Sequence, residues 1–231
     1  MSKSNRPPTP QSLFTRIAPW YDFVNSIASA GNVGRWRRET AELIPHNEVQ
    51  SILDIACGTG GMGVALRRYH PRAEIVGLDS NQAMLEVARK RRSSIYDLLI
   101  QGEVEALPFE DASFDAVVVA FAFHDFHCSL QSLTEVCRIL RPNGIFACME
   151  LSLPTDATTR IWYKRFLKTL VAVRNSLGLR NQGHVLDEIL NSPHSSYLAD
   201  LVTASDFEAL SQSELSKGIV TNYSFLKGGA E

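Results

Sequence analysis

Cysteine is scarce in this chain of 231 residues, which has only Cys57, Cys128, Cys137 and Cys148. These four form no Cys-x-x-Cys pair and have no histidine partners at zinc spacing, so the pattern predicts no metal site. Scattered thiols of this kind are typical of reduced proteins in the cytoplasm. We therefore expect no disulfide framework and a cytoplasmic location.

Long apolar runs and a strong charge of one sign are also missing. No segment reaches the ~18 uninterrupted apolar residues that a transmembrane helix needs, and the polar stretch 1–11 has no signal-peptide core. The formal net charge of −2 gives no general attraction to nucleic acid. These absences exclude a membrane span and leave a small molecule as the expected partner.

Short apolar runs alternate with helical patterns between residues 51 and 150. This alternation predicts a doubly wound, mostly parallel α/β sheet with right-handed crossovers. Two further strands between residues 198 and 225 would complete a seven-stranded, Rossmann-like sheet. The five central strands are predicted at 52–55, 74–78, 98–101, 116–121 and 145–149. Helices are predicted at 62–69, after an N-cap at Ser80, and at 130–140.

The flanks of this core are helical. Helical spacing over 14–28, interrupted at Pro19, and a helix over 36–43 predict an N-terminal cap. A strong helical pattern covers 161–177 and has two interpretations: a cover for the sheet or a homodimer face, or a lid over an apolar substrate that contacts a membrane surface. We expect a flexible tail and then one domain, divided into tail 1–12, cap 13–48, cofactor-binding core 49–153, and lid with closing strands 154–231.

The segment 52–60, ILDIACGTG, is the most informative part of the chain. An apolar strand ends in a turn of small residues, Ala56, Gly58 and Gly60, and a carboxylate, Asp79, follows at the end of the next strand. Such a turn lets backbone approach a ligand closely, and the carboxylate can accept hydrogen bonds from ribose hydroxyls. No Lys-Ser/Thr follows the glycines, which excludes a phosphate-binding P-loop.

A glycine turn with a distal acid fits NAD, FAD or S-adenosylmethionine (SAM), and three details favour SAM. Asp54 lies inside the strand, where an acid can order the turn and meet the positive amino-acid end of the cofactor. After the third strand, the Glu103 side chain and the Val104 N–H can bind the edge of an adenine. The segment 108–115, PFEDASFD, then forms a turn that leads into strand four.

Taken in order, these motifs resemble class I SAM-dependent methyltransferases over about residues 50–150. A narrower resemblance is to the ubiquinone/menaquinone biosynthesis C-methyltransferase family. It rests on the segments FTRIAPWYDFVN at 14–25, SAG at 29–31, WRR at 36–38, EVCRILRPNG at 135–144 and MELSLP at 149–154. This resemblance implies a SAM-dependent enzyme that methylates carbon in quinone biosynthesis.

The resemblance also implies that Thr59 and the position of Ala120 line the cofactor site, together with Asp79 and the Glu103-Val104 pair. Arg16 and Arg37, as cations of the cap, could neutralise the cofactor carboxylate or an acidic substrate. For Asp22, a helix-surface or capping position is the alternative to a functional one. The full predicted cofactor-binding set is Tyr21, Asp54, Ala56, Gly58, Thr59, Gly60, Asp79, Ser80, Met84, Glu103, Val104 and Ala120.

After strand four the family typically carries an Arg-Asn pair facing the substrate, whereas this chain has His124 and Asp125. C-methylation needs an electron-rich ring, which deprotonation of a phenol supplies. We predict His124 as the base and Asp125 as the residue that orients it or binds substrate. His124 as a pocket-lining residue is the alternative. An O- or N-methyltransferase of another small metabolite, and a non-catalytic cofactor-binding homologue, remain as competing functions.

Overall fold

The computed structural model describes residues 10–46, 49–126, 128–176 and 206–228, and within these ranges seven strands form one sheet. The strands are β1 (Ser51–Ile55), β2 (Glu74–Asp79), β3 (Leu98–Gln101), β4 (Phe114–Ala120), β5 (Leu140–Leu151), β6 (Phe207–Leu215) and β7 (Val220–Lys227). Their order is β3-β2-β1-β4-β5-β7-β6. Neighbours from β3 to β5 are parallel, and β7 is antiparallel to both β5 and β6. The predicted fold class is confirmed.

Helices cover both faces of the sheet and precede it. They are α1 (Pro10–Ile17), α2 (Tyr21–Ala28), α3 (Val33–Ala41), α4 (Gly61–Tyr69), α5 (Gln82–Arg91), α6 (Ser129–Ile139) and α7 (Ala157–Ser176). A 3₁₀ turn, Ala18–Trp20, separates α1 from α2 at the predicted interruption, where Pro19 lacks an N–H to donate. Across the described ranges, none of these helices combines the length and apolarity needed to cross a membrane.

Alternate residues of the central strands supply two separate cores. Ile52 belongs to the same buried cluster as Leu66 of α4, whereas its neighbour Leu53 packs in the cluster that contains Leu133 of α6. Successive side chains of a strand point to opposite faces, so helices on both faces bury every residue of β1. This double burial explains the nearly continuous apolar run. Its exception, Asp54, is a buried carboxyl 1% exposed.

The prediction that Ser80 caps the helix after β2 is wrong. Asn81 is the N-cap of α5, and its side-chain oxygen accepts hydrogen bonds from the N–H groups of Ala83 and Met84, at 3.0 and 3.3 Å. Ser and Asn both serve as N-caps, so the sequence alone did not distinguish them. The shift by one residue leaves Ser80 in the wall of the cavity described below.

Strand five is longer than predicted. The segment RPNG at 141–144 indicated a loop, but the chain passes directly from α6 into β5 at Leu140, which pairs with Phe114 of β4. A shift of register between Phe114 and Ala116 accommodates the irregular start of the strand. At its other end, β5 continues to Leu151 because β7 pairs with it from Ile145 to Leu151.

The C-terminal third contains the predicted helix and the two closing strands. The strands occupy 207–215 and 220–227, while the stretch 177–205, which includes the start of the predicted strand region, lies outside the described residues. Helical spacing puts Trp162 and Phe166 on one side of the predicted helix. In α7 these two side chains are exposed, whereas Tyr163 and Leu167 are buried. The exposed side leaves both interpretations of this helix, sheet cover or lid, as predictions.

Candidate functional site

The carboxyl ends of the central strands border a cavity of about 360 Å³. It lies where the strand order reverses, with β1 and β4 as neighbours, and ligands of doubly wound folds bind at this switch point. Most of the predicted site residues therefore come together in one place. Those that line the cavity are Tyr21, Ala56, Gly58, Asp79, Ser80, Met84, Glu103, Val104, Ala120 and Asp125.

The turn after β1 exposes backbone to this region. Ala56, Gly58 and Gly60 all have positive φ, at 53°, 55° and 86°. Glycine adopts this left-handed region without steric penalty, while a non-glycine residue there carries strain of the kind that concentrates at functional sites. At Gly60 space is also limiting, because a Cβ would lie 2.9 Å from the Tyr96 ring. Gly60 itself acts by shaping the turn.

Asp79 at the end of β2 is held by the backbone on both carboxylate oxygens. The N–H of Gly58 donates to Oδ2 at 2.7 Å, and the N–H of Asn81 donates to Oδ1 at 2.8 Å. Burial raises the pKa of Asp79, and these two hydrogen bonds offset part of the shift. The carboxylate thus joins the glycine turn to the start of α5 while facing the cavity.

Asp54 and Thr59 line a second, smaller cavity of about 20 Å³, which shares Tyr21 and Ala120 with the large one. Burial raises the pKa of Asp54 to about 7. The Tyr96 hydroxyl donates to Asp54 Oδ2 at 2.6 Å and works against that shift. Asp54 is therefore a carboxyl group whose charge depends on what else enters the small cavity.

Arg37 of α3 brings a cation into the same small cavity. Its guanidinium packs where a side chain on Gly61 would be, since a Cβ there would lie 2.2 Å from Nη1. Within the described part of the chain, its Nε is a buried nitrogen without a hydrogen-bond partner. Burial lowers the pKa of Arg37. Arg16, the other proposed cation, is exposed in the last turn of α1.

Asp22 of α2 attaches the cap to the glycine turn. Its carboxylate accepts from the Thr59 hydroxyl at 2.8 Å and pairs with Arg92 at 2.9 Å. Arg92 also donates to the Thr59 carbonyl oxygen. Asp22 therefore contacts the site, which the sequence left open. These contacts place Tyr21, the preceding residue, against Gly58 in the wall of both cavities.

His124 and Asp125 lie on a short 3₁₀ turn, Phe123–Asp125, directly after β4. Asp125 lines the large cavity, whereas the His124 ring contacts Glu150 of β5, with 2.8 Å between Nδ1 and Oε2. The other ring nitrogen, Nε2, lies 3.7 Å from Asp125 Oδ2. The predicted pair is thus connected within the site, but only Asp125 borders the cavity directly.

Three residues that the sequence analysis did not select contact the predicted ones: Arg92, Tyr96 and Glu150. The first two follow α5 with no motif or spacing to mark them, and only the folded chain brings them to the turn. Glu150 carried a signal, because a charged residue inside an apolar strand is buried only with partners. From the sequence, Glu150 was recognised only as part of the segment MELSLP at 149–154, which resembles the family.

The fold and the site define a class of protein. A seven-stranded sheet with β7 antiparallel, a small-residue turn after β1 and an acid at the end of β2 are the arrangement of class I SAM-dependent methyltransferases. A solved structure shares this fold: a chain of the complex between the Haloferax volcanii Trm112 methyltransferase activator and a methyltransferase. It has a TM-score of 0.65 and 18% identity, covering 93% of this chain and 97% of that one.

Sequence comparison identifies the family. Residues 2–227 match the model of the ubiE/COQ5 methyltransferase family, and the chain belongs to it. A demethylmenaquinone methyltransferase of Thermotoga maritima is 42% identical over 160 residues, 69% of each chain. One of Deinococcus radiodurans is 32% identical over 222 residues, 90% of this chain and 92% of that one. The resemblance identified from the sequence is confirmed.

Proposed function

We propose that this protein transfers a methyl group from SAM to a ring carbon of a demethylated quinol in quinone biosynthesis. The observation that carries the proposal is the mixed lining of one cavity. Its wall includes the glycine turn and Asp79, and also the aromatic rings of Phe14, Phe121 and Phe126 beside Asp125. An apolar aromatic acceptor could thus lie next to a nucleoside-binding turn. The relatives named demethylmenaquinone methyltransferases support the choice of acceptor.

The residues present fit SAM. Asp79 offers acceptor oxygens for ribose hydroxyls, and Glu103 with the Val104 N–H lies on the same cavity for the adenine. The amino-acid end needs both signs of charge, and the small cavity has both. Arg37, with its buried unpartnered nitrogen, would bind the carboxylate. Asp54 and Thr59, in the same small cavity, would receive the ammonium group.

When bound, SAM supplies an electrophilic methyl group, so the protein mainly positions the acceptor and excludes water. The aromatic rings hold the acceptor ring. Asp125, which lines the cavity, and His124, whose Nε2 lies 3.7 Å from Asp125 Oδ2, can take a proton from a ring hydroxyl, which increases the electron density at the ring carbon. C-methylation is the chemistry that uses both the apolar lining and the base.

A competing function is favoured by one departure. This chain has His124 and Asp125 where the family typically has Arg-Asn, which is compatible with transfer to oxygen or nitrogen of another metabolite. The same departure would suit a homologue that binds SAM without turnover.

One experiment separates these functions. Calorimetry measures SAM binding to the purified protein, and labelled SAM is then supplied with reduced demethylmenaquinone analogues or with unrelated phenols and amines. We expect binding and selective methylation of the quinol. Turnover on the other acceptors alone would favour the competing transferases, and binding without any turnover would favour the non-catalytic homologue. A folded protein that does not bind SAM would refute the proposal.

A further inference from the structure

Glu150 of β5 is a buried carboxylate directed at the turn that carries the predicted catalytic pair. Glu150 is only 3% exposed. Oε1 accepts the N–H of Phe123 at 2.7 Å, and Oε2 lies 2.8 Å from His124 Nδ1. Burying a carboxylate is unfavourable unless it is hydrogen-bonded, and Glu150 uses both oxygens on two consecutive residues of one turn.

This contact determines which nitrogen of His124 can act as a base. A carboxylate lies near each ring nitrogen, and a carboxylate only accepts hydrogen bonds. The Glu150 contact at Nδ1 is the shorter, 2.8 Å against 3.7 Å from Nε2 to Asp125, so the neutral ring carries its proton on Nδ1 and keeps the lone pair on Nε2. Nε2 lies on the side of Asp125, 3.7 Å from Oδ2, and Asp125 lines the large cavity. The three side chains therefore connect the buried end of β5 with the cavity.

We propose that Glu150 is a positioning residue, which holds His124 in the tautomer and orientation that let Nε2 accept the proton of an acceptor hydroxyl. The inference rests on the proposed function, methylation of a phenolic ring at carbon. It adds a residue that acts through His124 and does not itself contact the acceptor. Orientation of a catalytic imidazole by a buried carboxylate is a general device in enzymes.

The proton transfer and the methyl transfer each form one bond and break another. The hydroxyl O–H bond breaks, an N–H bond forms at His124 Nε2, and the electron pair left on oxygen enriches the ring. The ring carbon forms a bond to the methyl group as the methyl–sulfur bond breaks, and that pair stays on sulfur. The ring loses its C–H proton to solvent, and the oxygen recovers its proton from Nε2. One proton is released for each methyl group transferred.

The test is Glu150→Gln, which keeps the shape of the side chain. The amide oxygen can still accept from the Phe123 N–H, but the amide nitrogen is then a donor facing His124 Nδ1. The ring must then carry its proton on Nε2 and loses its basic nitrogen on the side of Asp125. We expect kcat for quinol methylation to fall about 100-fold, the usual size of a general-base contribution, with KM and SAM affinity unchanged.

Two readouts distinguish positioning from a merely structural role. Nitrogen-15 spectra of the His124 ring, recorded at alkaline pH where the ring is neutral, should show the proton on Nδ1 in the native protein and on Nε2 in Glu150→Gln. In a His124→Gln background, Glu150→Gln should have no further effect on kcat, because the residue through which it acts is gone. Asp115→Asn, the same chemical change at the opposite end of the sheet, is the matched control and should leave kcat unchanged.

The outcomes separate this inference from the proposed function. If the native protein methylates the quinol and Glu150→Gln is equally active, the inference fails while the function stands. Multiplicative losses of activity in the double variant, or an Nε2 proton in the native ring, would also overturn it. If the native protein methylates no quinol, the proposed function fails, and the tautomer spectra still report whether Glu150 positions His124.

Discussion

Asp79 and Asp115 lie at opposite ends of the parallel sheet, and each accepts two backbone N–H groups. Asp115 receives those of Gln50 and Ser51 at 2.8 and 2.9 Å, and also pairs with Arg141. Burial alone would raise the pKa of Asp115, but the hydrogen bonds from Arg141 and from the backbone outweigh it, and the pKa is lowered. At Asp79, burial wins and the pKa is raised.

The two pKa values shift in opposite directions because Asp115 has a cation, Arg141, beside it. Asp115 has its counter-charge, Arg141, within the fold, and it links β1, β4 and β5 through its contacts with Ser51 and Arg141. The backbone amides hold Asp79 without neutralising it, which leaves it suited to further hydrogen bonds from a ligand. The amino end of the sheet is built for stability, whereas the carboxyl end holds Asp79 by backbone amides and leaves it facing the cavity.

The largest expected effect comes from Asp79→Ala. Loss of two charge-assisted hydrogen bonds to the ribose, at roughly 1.5–3 kcal/mol for each bond, should weaken SAM binding by roughly 100- to 10,000-fold. Calorimetry measures the affinity, and thermal unfolding measures stability on the same samples. An equal loss of stability and affinity would remove the distinction between the two aspartates.

Arg37→Met tests the cation of the small cavity. Removing a guanidinium whose buried Nε has no hydrogen-bond partner within the described residues should leave the free energy of unfolding nearly unchanged, while SAM affinity falls about 10-fold because the carboxylate loses its partner. Methylthioadenosine, which lacks the amino-acid end, is the matched probe, and its affinity should not change. An equal loss of affinity for SAM and for methylthioadenosine would show that Arg37 does not act by binding the cofactor carboxylate.

Asp115→Asn removes the charge of the aspartate at the amino end of the sheet. We expect a loss of about 1–3 kcal/mol in the free energy of unfolding, since the hydrogen bonds to a charged group are weakened. SAM affinity should be unchanged. Because the folded pKa lies below the unfolded value of about 4, the native stabilisation is present above that pH and is lost as pH falls through the folded pKa. Urea unfolding of both proteins between pH 2 and 7 measures the difference, which should become smaller as the pH falls.

Asp54 gives the smallest effect, with the opposite sign of pH dependence. Its pKa of about 7 in the free protein means that its contribution to stability is lost as pH rises through 7. SAM binding should instead tighten several-fold over the same range, as the charged form meets the ammonium group. Tyr96→Phe removes a hydrogen bond that lowers the pKa and should move both curves to higher pH. Flat SAM affinity from pH 6 to 8 would contradict the assignment.

The sequence predicted the elements and motifs that follow from local pattern. The apolar run 52–55, the glycine turn and Asp79 are fixed by strand burial and by backbone geometry, so their place in the fold was predictable. Boundaries set by pairing were not: β5 begins at Leu140 because Phe114 pairs with it, and no local signal reveals that partner. The N-cap at Asn81 was missed because adjacent Ser80 has the same capping ability.

Contacts between distant segments were the other limit. The pairing of Asp22 with Thr59 and Arg92 joins three parts of the chain, and the contact of His124 with Glu150 joins two strand ends. The sequence identified His124 by its departure from the family, but the partner that orients it became visible only from the pairing of β4 with β5.

The position of the transferred methyl group tests directly whether the protein methylates a ring carbon of the quinol. The native protein is incubated with SAM carrying a carbon-13 methyl group and with a reduced, short-chain demethylmenaquinone, and the product is examined by carbon-13 spectroscopy. We expect a new methyl group bonded to a ring carbon, formed by the native protein and by Asp115→Asn, and formed by Asp79→Ala only at SAM concentrations high enough to offset its weaker binding. A methyl group on oxygen, or no product from native protein saturated with SAM, would contradict the proposed function.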